Sequence, residues 1–270
     1  MRGGNNMSFI ADALGVMDVF DEHEFSDKYY TIYFNSNERL KEIFSKIDVY
    51  DKDVLTVVGS GDQVFYSFYN GARSVDMFDK NKLSIHYYYL RTWVIKYLDK
   101  FYPSKLNKKY IKTLLKIVKP HTKEERDSLR FWKIYIKIFT DEDTEELFSY
   151  SRKNKINTIR NLSLIKKRIE NDDVCFYNVD ISKKVDIKKK YDIIFTSNIV
   201  DYLLFDEKQL RLYRDNLDSL LKNGGIIVRC NVLKGVNTNL EKRLFLEKFY
   251  SNDIPSKTNK KSIAFVYTKK

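Results

Sequence analysis

Apolar positions along this chain of 270 residues follow two alternating rhythms. Short runs over 54–58, 74–79, 174–180, 191–197, 226–230 and 262–267 are rich in β-branched and aromatic residues and predict strands. The first, Val54-Leu-Thr-Val-Val58, is apolar almost throughout, as a strand covered on both faces should be. Between these runs apolar residues recur at helical spacing, as in Val64, Phe65, Phe68 and Tyr69, or Leu83, Tyr87, Leu90, Val94 and Leu98. Two later helices are predicted, one through Leu210, Tyr213 and Leu217 that ends at Asn223-Gly224-Gly225, and one over 239–249. Strand, glycine turn, helix, strand, helix is the opening of an α/β fold with a mostly parallel, doubly wound sheet.

The rhythm breaks twice. Upstream, the pattern predicts a helix over 8–20 and another through Leu40, Ile43, Phe44 and Ile47, with Asn35 or Ser36 as its cap. Over 101–170 the strands stop. One helix runs from Leu106 to Val118 ahead of Pro120, a second opens at the Thr122/Glu125 capping-box pair, and further helical segments fall over 143–150 and 157–170. These readings divide the chain into an N-terminal helical cap, 1–53, and a domain over 54–270 with a helical insertion, 101–170, between its second and third strands.

Composition adds mostly exclusions. Two cysteines, Cys175 and Cys230, and three scattered histidines leave no disulfide framework and no structural metal site to expect. Without a long apolar run or a secretory leader, the expected location is cytoplasmic, peripheral to a membrane at most. Charge changes the picture more. Residues 100–170 hold 19 basic and 9 acidic side chains, net +10, in a chain of net +12. Such a segment suits an anionic partner, a lipid surface or nucleic acid, although a solvated lysine-rich face explains it as well.

Candidate chemistry gathers at the strand ends. Gly59-Ser60-Gly61-Asp62 joins the first strand to its helix, where glycines let backbone approach a ligand and a helix N-terminus offers N–H groups. Asp79 closes the next strand twenty residues after Gly59, a spacing at which a carboxylate accepts from ribose hydroxyls. A helix cap is its alternative role. Asn81 follows on the same edge. Asp180 ends the third strand, placed to accept from an adenine amino group with Ile181 against the ring, or simply to make a turn. Ser197 and Asn198 end the fourth strand, before Asp201 and Tyr202. There Asn198 and Tyr202 could orient a nucleophile and Asp201 could act as base, while helix capping by Ser197 or Asn198 accounts for the position as well. Val64 stands where a dinucleotide fingerprint needs its third glycine, and no Gly-Lys-Ser/Thr loop is present, which disfavours NAD and excludes a phosphate-loop NTPase.

Together, Val54–Gln63, Gly71–Asn81 and Tyr191–Tyr202 resemble the class I S-adenosylmethionine-dependent transferases, and more narrowly the betaine-lipid synthases. The narrower likeness lies in Ser60-Gly61-Asp62-Gln63, with Val57 where many methyltransferases carry an acid. The resemblance covers most of 29–100 and 171–235. It implies a Rossmann-like class I methyltransferase fold, S-adenosylmethionine as cofactor, and transfer of a 3-amino-3-carboxypropyl group to an unidentified acceptor. By the same resemblance, Gly59, Ser60, Gly61, Asp62 and Gln63 would hold the methionine part, Asp79 the ribose and Asp180 the adenine. Ser36, Asn37 and Glu38 would close over the cofactor, although a helix start reads them equally well. A methyltransferase with the same cofactor, acting on nucleic acid, is the alternative, and a catalytically silent binding module the third reading.

Overall fold

The computed structural model describes residues 32–103, 106–138, 141, 148–149, 158–171, 174–202, 206–230, 238–255 and 262–270. The helix expected over 8–20 lies outside them. In chain order the elements are β1 (Ile32–Tyr33), α1 (Leu40–Phe44), β2 (Asp53–Val57), α2 (Asp62–Tyr69), β3 (Ser74–Asp79), α3 (Lys82–Leu98), α4 (Lys108–Leu115), α5 (Lys123–Ile138), β4 (Phe148–Ser149), α6 (Ser163–Asn171), β5 (Phe176–Asn178), β6 (Tyr191–Ser197), α7 (Ile199–Tyr202), α8 (Glu207–Leu220), β7 (Leu221–Cys230), α9 (Thr238–Leu246), β8 (Phe249–Pro255) and β9 (Ser262–Lys269).

Seven strands form one sheet in the order β5-β3-β2-β6-β7-β9-β8. The first five are parallel, and β9 runs antiparallel between β7 and β8. This is the Rossmann-like arrangement of class I methyltransferases, as the resemblance implied.

Alternation along the central strands supplies both faces. Val54 of β2, with Ile193 and Phe195 of β6, packs under α1, α2 and α6. Leu55 of β2 and Ile194 of β6 face α8 and α9. With successive side chains on opposite faces, a run buried on both is apolar over most of its length, with Thr56 and Thr196 as buried polar exceptions, which is why β2 and β6 are plain in the sequence.

The insertion forms a further layer. Tyr87, Leu90, Trp93 and Val94 of α3 meet Ile111 and Leu114 of α4 and Phe131, Trp132 and Tyr135 of α5 in one apolar cluster. Thr122 and Glu125 make the expected capping exchange: Glu125 N–H donates to Thr122 Oγ1 at 3.1 Å and Thr122 N–H donates to Glu125 Oε2 at 3.4 Å, an oxygen that also accepts from His121 N–H at 2.6 Å. Four expectations change. Residues 148–149 are a short strand paired with β1, where a helix was expected over 143–150. The helix expected over 239–249 ends at Leu246, and β8 follows. Helix α8 ends at Leu220, with Gly224 and Gly225 inside β7. Neither Asn35 nor Ser36 caps α1, whose N-cap is Arg39.

Candidate functional site

Four parallel strands bring their carboxyl ends to one edge. From β2 the sheet order runs through β3 to β5 on one side and to β6 on the other, so the winding reverses beside β2. Ligands of open α/β sheets sit outside the strands at such a reversal. A cavity of about 190 Å³ lies there. Val57, Val58, Gly59 and Ser60 line it from β2, and Phe78, Asp79, Lys80 and Asn81 from β3. Val179, Asp180 and Ile181 follow β5, and Ser197, Asn198 and Ile199 follow β6. Gln63 and Ser84 come from the first turns of α2 and α3, and Ser36, Asn37 and Glu38 from the segment before α1.

The glycine turn and the carboxylate meet directly. Gly59 has φ +48°, and a Cβ there would meet nothing within 4 Å, so the turn leaves open space beside the backbone. Gly59 N–H donates to Asp79 Oδ2 at 3.1 Å, and Asn81 N–H donates to Asp79 Oδ1 at 2.9 Å. Burial pushes the Asp79 carboxyl above the usual aspartate range, against the pull of these two N–H groups. Each carboxylate oxygen accepts more than one hydrogen bond, so capacity remains for a ligand. The capping role open to Asp79 falls to Asn81, whose Oδ1 accepts from Leu83 N–H at 3.0 Å.

Glu38 organises the opposite wall. It is buried, and accepts from Ser197 Oγ and from Gln63 Nε2, with Ser36 Oγ 3.2 Å from its second oxygen. Thr56, inside β2, donates to Gln63 Oε1 at 2.7 Å and so fixes which end of that amide turns to Glu38. Desolvation holds the Glu38 carboxyl above the usual glutamate range, opposed by its hydrogen bonds from Ser197, Gln63 and Ser36. Ser197 carries a left-handed backbone, φ +54°, unusual for a residue with a side chain. Asn198 Oδ1 lies 3.0 Å from Ser197 Oγ, while Asn198 Nδ2 is buried with no hydrogen-bond partner among the described residues. A buried amide donor on a cavity wall is costly unless something in the cavity accepts from it. Asp180 Oδ1 accepts from Ser182 N–H at 3.0 Å and Ser182 Oγ at 2.6 Å, so the turn reading of Asp180 holds, and the residue still lines the cavity.

Of the residues singled out in the sequence, Asn37, Glu38, Gly59, Ser60, Gln63, Asp79, Asn81, Asp180, Ile181, Ser197 and Asn198 stand around this one cavity. Asp201 and Tyr202 lie in α7, and their side chains fall outside the described residues. Gly61 and Asp62 do not line the cavity. Gly61 is the N-cap of α2 at φ +82°, where an added Cβ would come within 3.2 Å of the Phe65 ring. Asp62 points into the protein, against the fully buried Arg91 guanidinium, and accepts from Tyr102 OH at 2.9 Å and from Ser36 N–H at 2.6 Å.

Arg91 also donates to Ser60 O at 2.7 Å and Phe101 O at 2.9 Å, with its guanidinium over the Tyr102 ring at 4.3 Å. No local motif marks Arg91 or Tyr102. The available signal was an arginine on the apolar face of α3, which requires an acid from elsewhere.

No protein-family model matches the chain, and no curated protein matches it. Solved structures do. The N-methyltransferase NodS of Bradyrhizobium japonicum, in complex with S-adenosyl-L-homocysteine, matches over 86% of this chain and 83% of its own, at 10% identity and TM-score 0.44. A TehB-like S-adenosylmethionine-dependent methyltransferase of Corynebacterium glutamicum matches over 87% and 90%, at 12% identity and TM-score 0.42. A ribosomal protein L11 methylase of Lactobacillus delbrueckii matches over 85% and 74%, at 13% identity and TM-score 0.41.

Proposed function

We propose that the protein is an S-adenosylmethionine-dependent transferase and that the group it moves is the methyl group. The observation that carries this reading is the Gly59 turn bound to the Asp79 carboxylate on the wall of a cavity at the winding reversal of the sheet. The residues present fit the cofactor. Asp79 would accept from the ribose hydroxyls, and Asp180 with Ile181 would hold the adenine between an acceptor and an apolar face. Gly59, Ser60, Gln63 and the Ser36–Glu38 segment would enclose the methionine end, and Asn198 Nδ2 would find its acceptor there. When bound, the cofactor supplies a sulfonium leaving group, and the protein's task is to orient it and exclude water. Ser197, Asn198, Asp201 and Tyr202 belong to the end from which an acceptor would approach.

Methyl transfer is our reading over aminocarboxypropyl transfer because the narrower resemblance loses one of its supports. The narrower resemblance rested on Ser60-Gly61-Asp62-Gln63 as a cofactor-holding loop, and the Asp62 carboxylate of that loop is turned away from the cavity into the ion pair with Arg91.

Titration calorimetry tests the reading. S-adenosylmethionine should bind the native chain, and Asp79→Ala should weaken binding by about 10- to 100-fold, the loss expected for hydrogen bonds to a charged acceptor. A native chain that does not bind overturns it. Turnover with a cell extract as acceptor source should release S-adenosylhomocysteine, and release of methylthioadenosine would replace methyl by aminocarboxypropyl transfer.

A further inference from the structure

Basic side chains over much of the molecule sit against acids: Arg73 and Lys222 on Asp53, Lys189 on Asp76, Arg214 on Glu247, Lys269 on Asp218. The α4–α5 layer differs. Lys109 and Lys112 of α4 and its C-cap Lys116 are exposed at spacings of three and four residues that place them on one face, and the exposed Lys119 follows in the chain after the helix. On α5, Lys123, Arg126, Arg130, Lys133 and Lys137 repeat the spacing over some four turns, again all exposed. None of these cations makes an ion pair among the described residues. Glu124 and Asp127 are the exposed acids between them on α5 and leave the face strongly positive.

What these helices bury narrows the partner. Ile111 and Leu114 of α4 and Phe131, Trp132 and Tyr135 of α5 face the α3 cluster, so both basic stripes point away from one shared core. The apolar faces are already covered and have little to insert into a bilayer, with Ile117 the large exposed apolar side chain beside the stripe on α4. An interfacial membrane helix needs that apolar face free. Of the aromatics on these helices Phe131, Trp132 and Tyr135 are buried and Tyr110 is half-buried, so recognition would go chiefly through charge. The α5 stripe extends about 21 Å at 1.5 Å per residue, with a cation about every 5 Å, which suits a row of phosphates.

We propose that the basic faces of α4 and α5 form a docking surface for the phosphate backbone of nucleic acid, read without regard to sequence. This does not depend on the cofactor reading, because backbone binding needs no ligand in the cavity. Fluorescence anisotropy with a labelled RNA duplex of roughly 20 base pairs, at several salt concentrations, is the test. Binding by the native chain should fall steeply with salt. The fourfold variant Lys123→Gln, Arg126→Gln, Arg130→Gln, Lys133→Gln should lose about tenfold or more in affinity and flatten the log–log salt slope by about four. A control with equal charge loss at exposed sites elsewhere, Lys46→Gln, Lys52→Gln, Lys183→Gln, Lys184→Gln, should bind within about twofold of native. Equal loss in both variants would reduce the effect to net charge and overturn the proposal. So would a flat salt response, or binding to phosphatidylserine-containing vesicles without binding to the duplex. Unchanged melting curves for both variants confirm that the comparison concerns folded protein.

Discussion

Glu38 shows how one residue carries a site and a cost together. Its carboxyl is buried, and desolvation holds it above the usual glutamate range. The folded state therefore holds the proton more tightly than the unfolded chain does. The resulting stability is complete below the ordinary glutamate range and is lost as pH rises through the raised value. Glu38→Gln removes the titration while keeping the shape, and the Ser36 and Ser197 hydroxyls can turn to suit an amide. The variant should melt at or above the native temperature at neutral pH, with the gap closing as pH is lowered into the acid range. A gap independent of pH in calorimetric scans would show that Glu38 is not the group responsible. Glu38 was legible in the sequence only through the family resemblance, whereas Gly59 and Asp79 were legible from position, the one just past and the other at the end of two strong strands. Asp62 misled because a carboxylate after a glycine turn reads the same whether it faces the cavity or a helix behind it. The deciding partner, Arg91, is 29 residues away.

Among the elements, legibility followed burial. β2, β3 and β6 are covered on both sides, and their apolar runs give them away. β8 was missed because only Phe249 and Ile254 of its seven residues are buried, and Ser251-Asn252-Asp253 between them reads as a turn. As an edge strand, with β9 on one side only, it tolerates that polar centre and the proline that ends it. The insertion helices were legible as helices, but their docking on α3 depends on a contact no periodicity shows. His86 of α3 stacks on Phe131 of α5 with ring centroids 4.2 Å apart, Ser128 Oγ lies 2.9 Å from His86 Nδ1, and Trp132 Nε1 donates to His86 O at 2.9 Å. Burial lowers the His86 pKa to about 4, so the ring is neutral in the fold. The unfolded chain takes up the proton first as pH falls. The stability tied to a neutral His86 is thus present above the ordinary histidine range and lost as pH drops toward about 4. His86→Phe, which keeps the stack but not the titration, should flatten the fall in melting temperature over that window. Parallel slopes for variant and native protein would assign the acid sensitivity elsewhere.

For the molecule as a whole, the Asp62–Arg91 pair is where separate parts of the chain are tied together. Arg91 comes from the middle of α3, Asp62 from the start of α2, Ser36 from the segment before α1, and Tyr102 and Phe101 O from the chain after α3. Both side chains of the pair are fully buried. Removing one member leaves a charge without its counterpart in a low-dielectric interior, a loss of about 3–5 kcal/mol. Arg91→Met should therefore lower the melting temperature by roughly 10 °C, near the upper end of single substitutions in a chain of this size. Because Asp62 also holds Ser36 N–H, the segment that carries Asn37 and Glu38 to the cavity should loosen with it, so cofactor affinity should fall although Arg91 touches no cavity space. The double variant Asp62→Asn, Arg91→Met separates the two effects. With no charge left stranded it should regain much of the stability, yet without the carboxylate's grip on Ser36 it should not regain the affinity. Recovery of both together would mean that the pair serves stability alone, and that the Ser36–Glu38 segment is held to the cavity by the Glu38, Gln63 and Ser197 contacts instead.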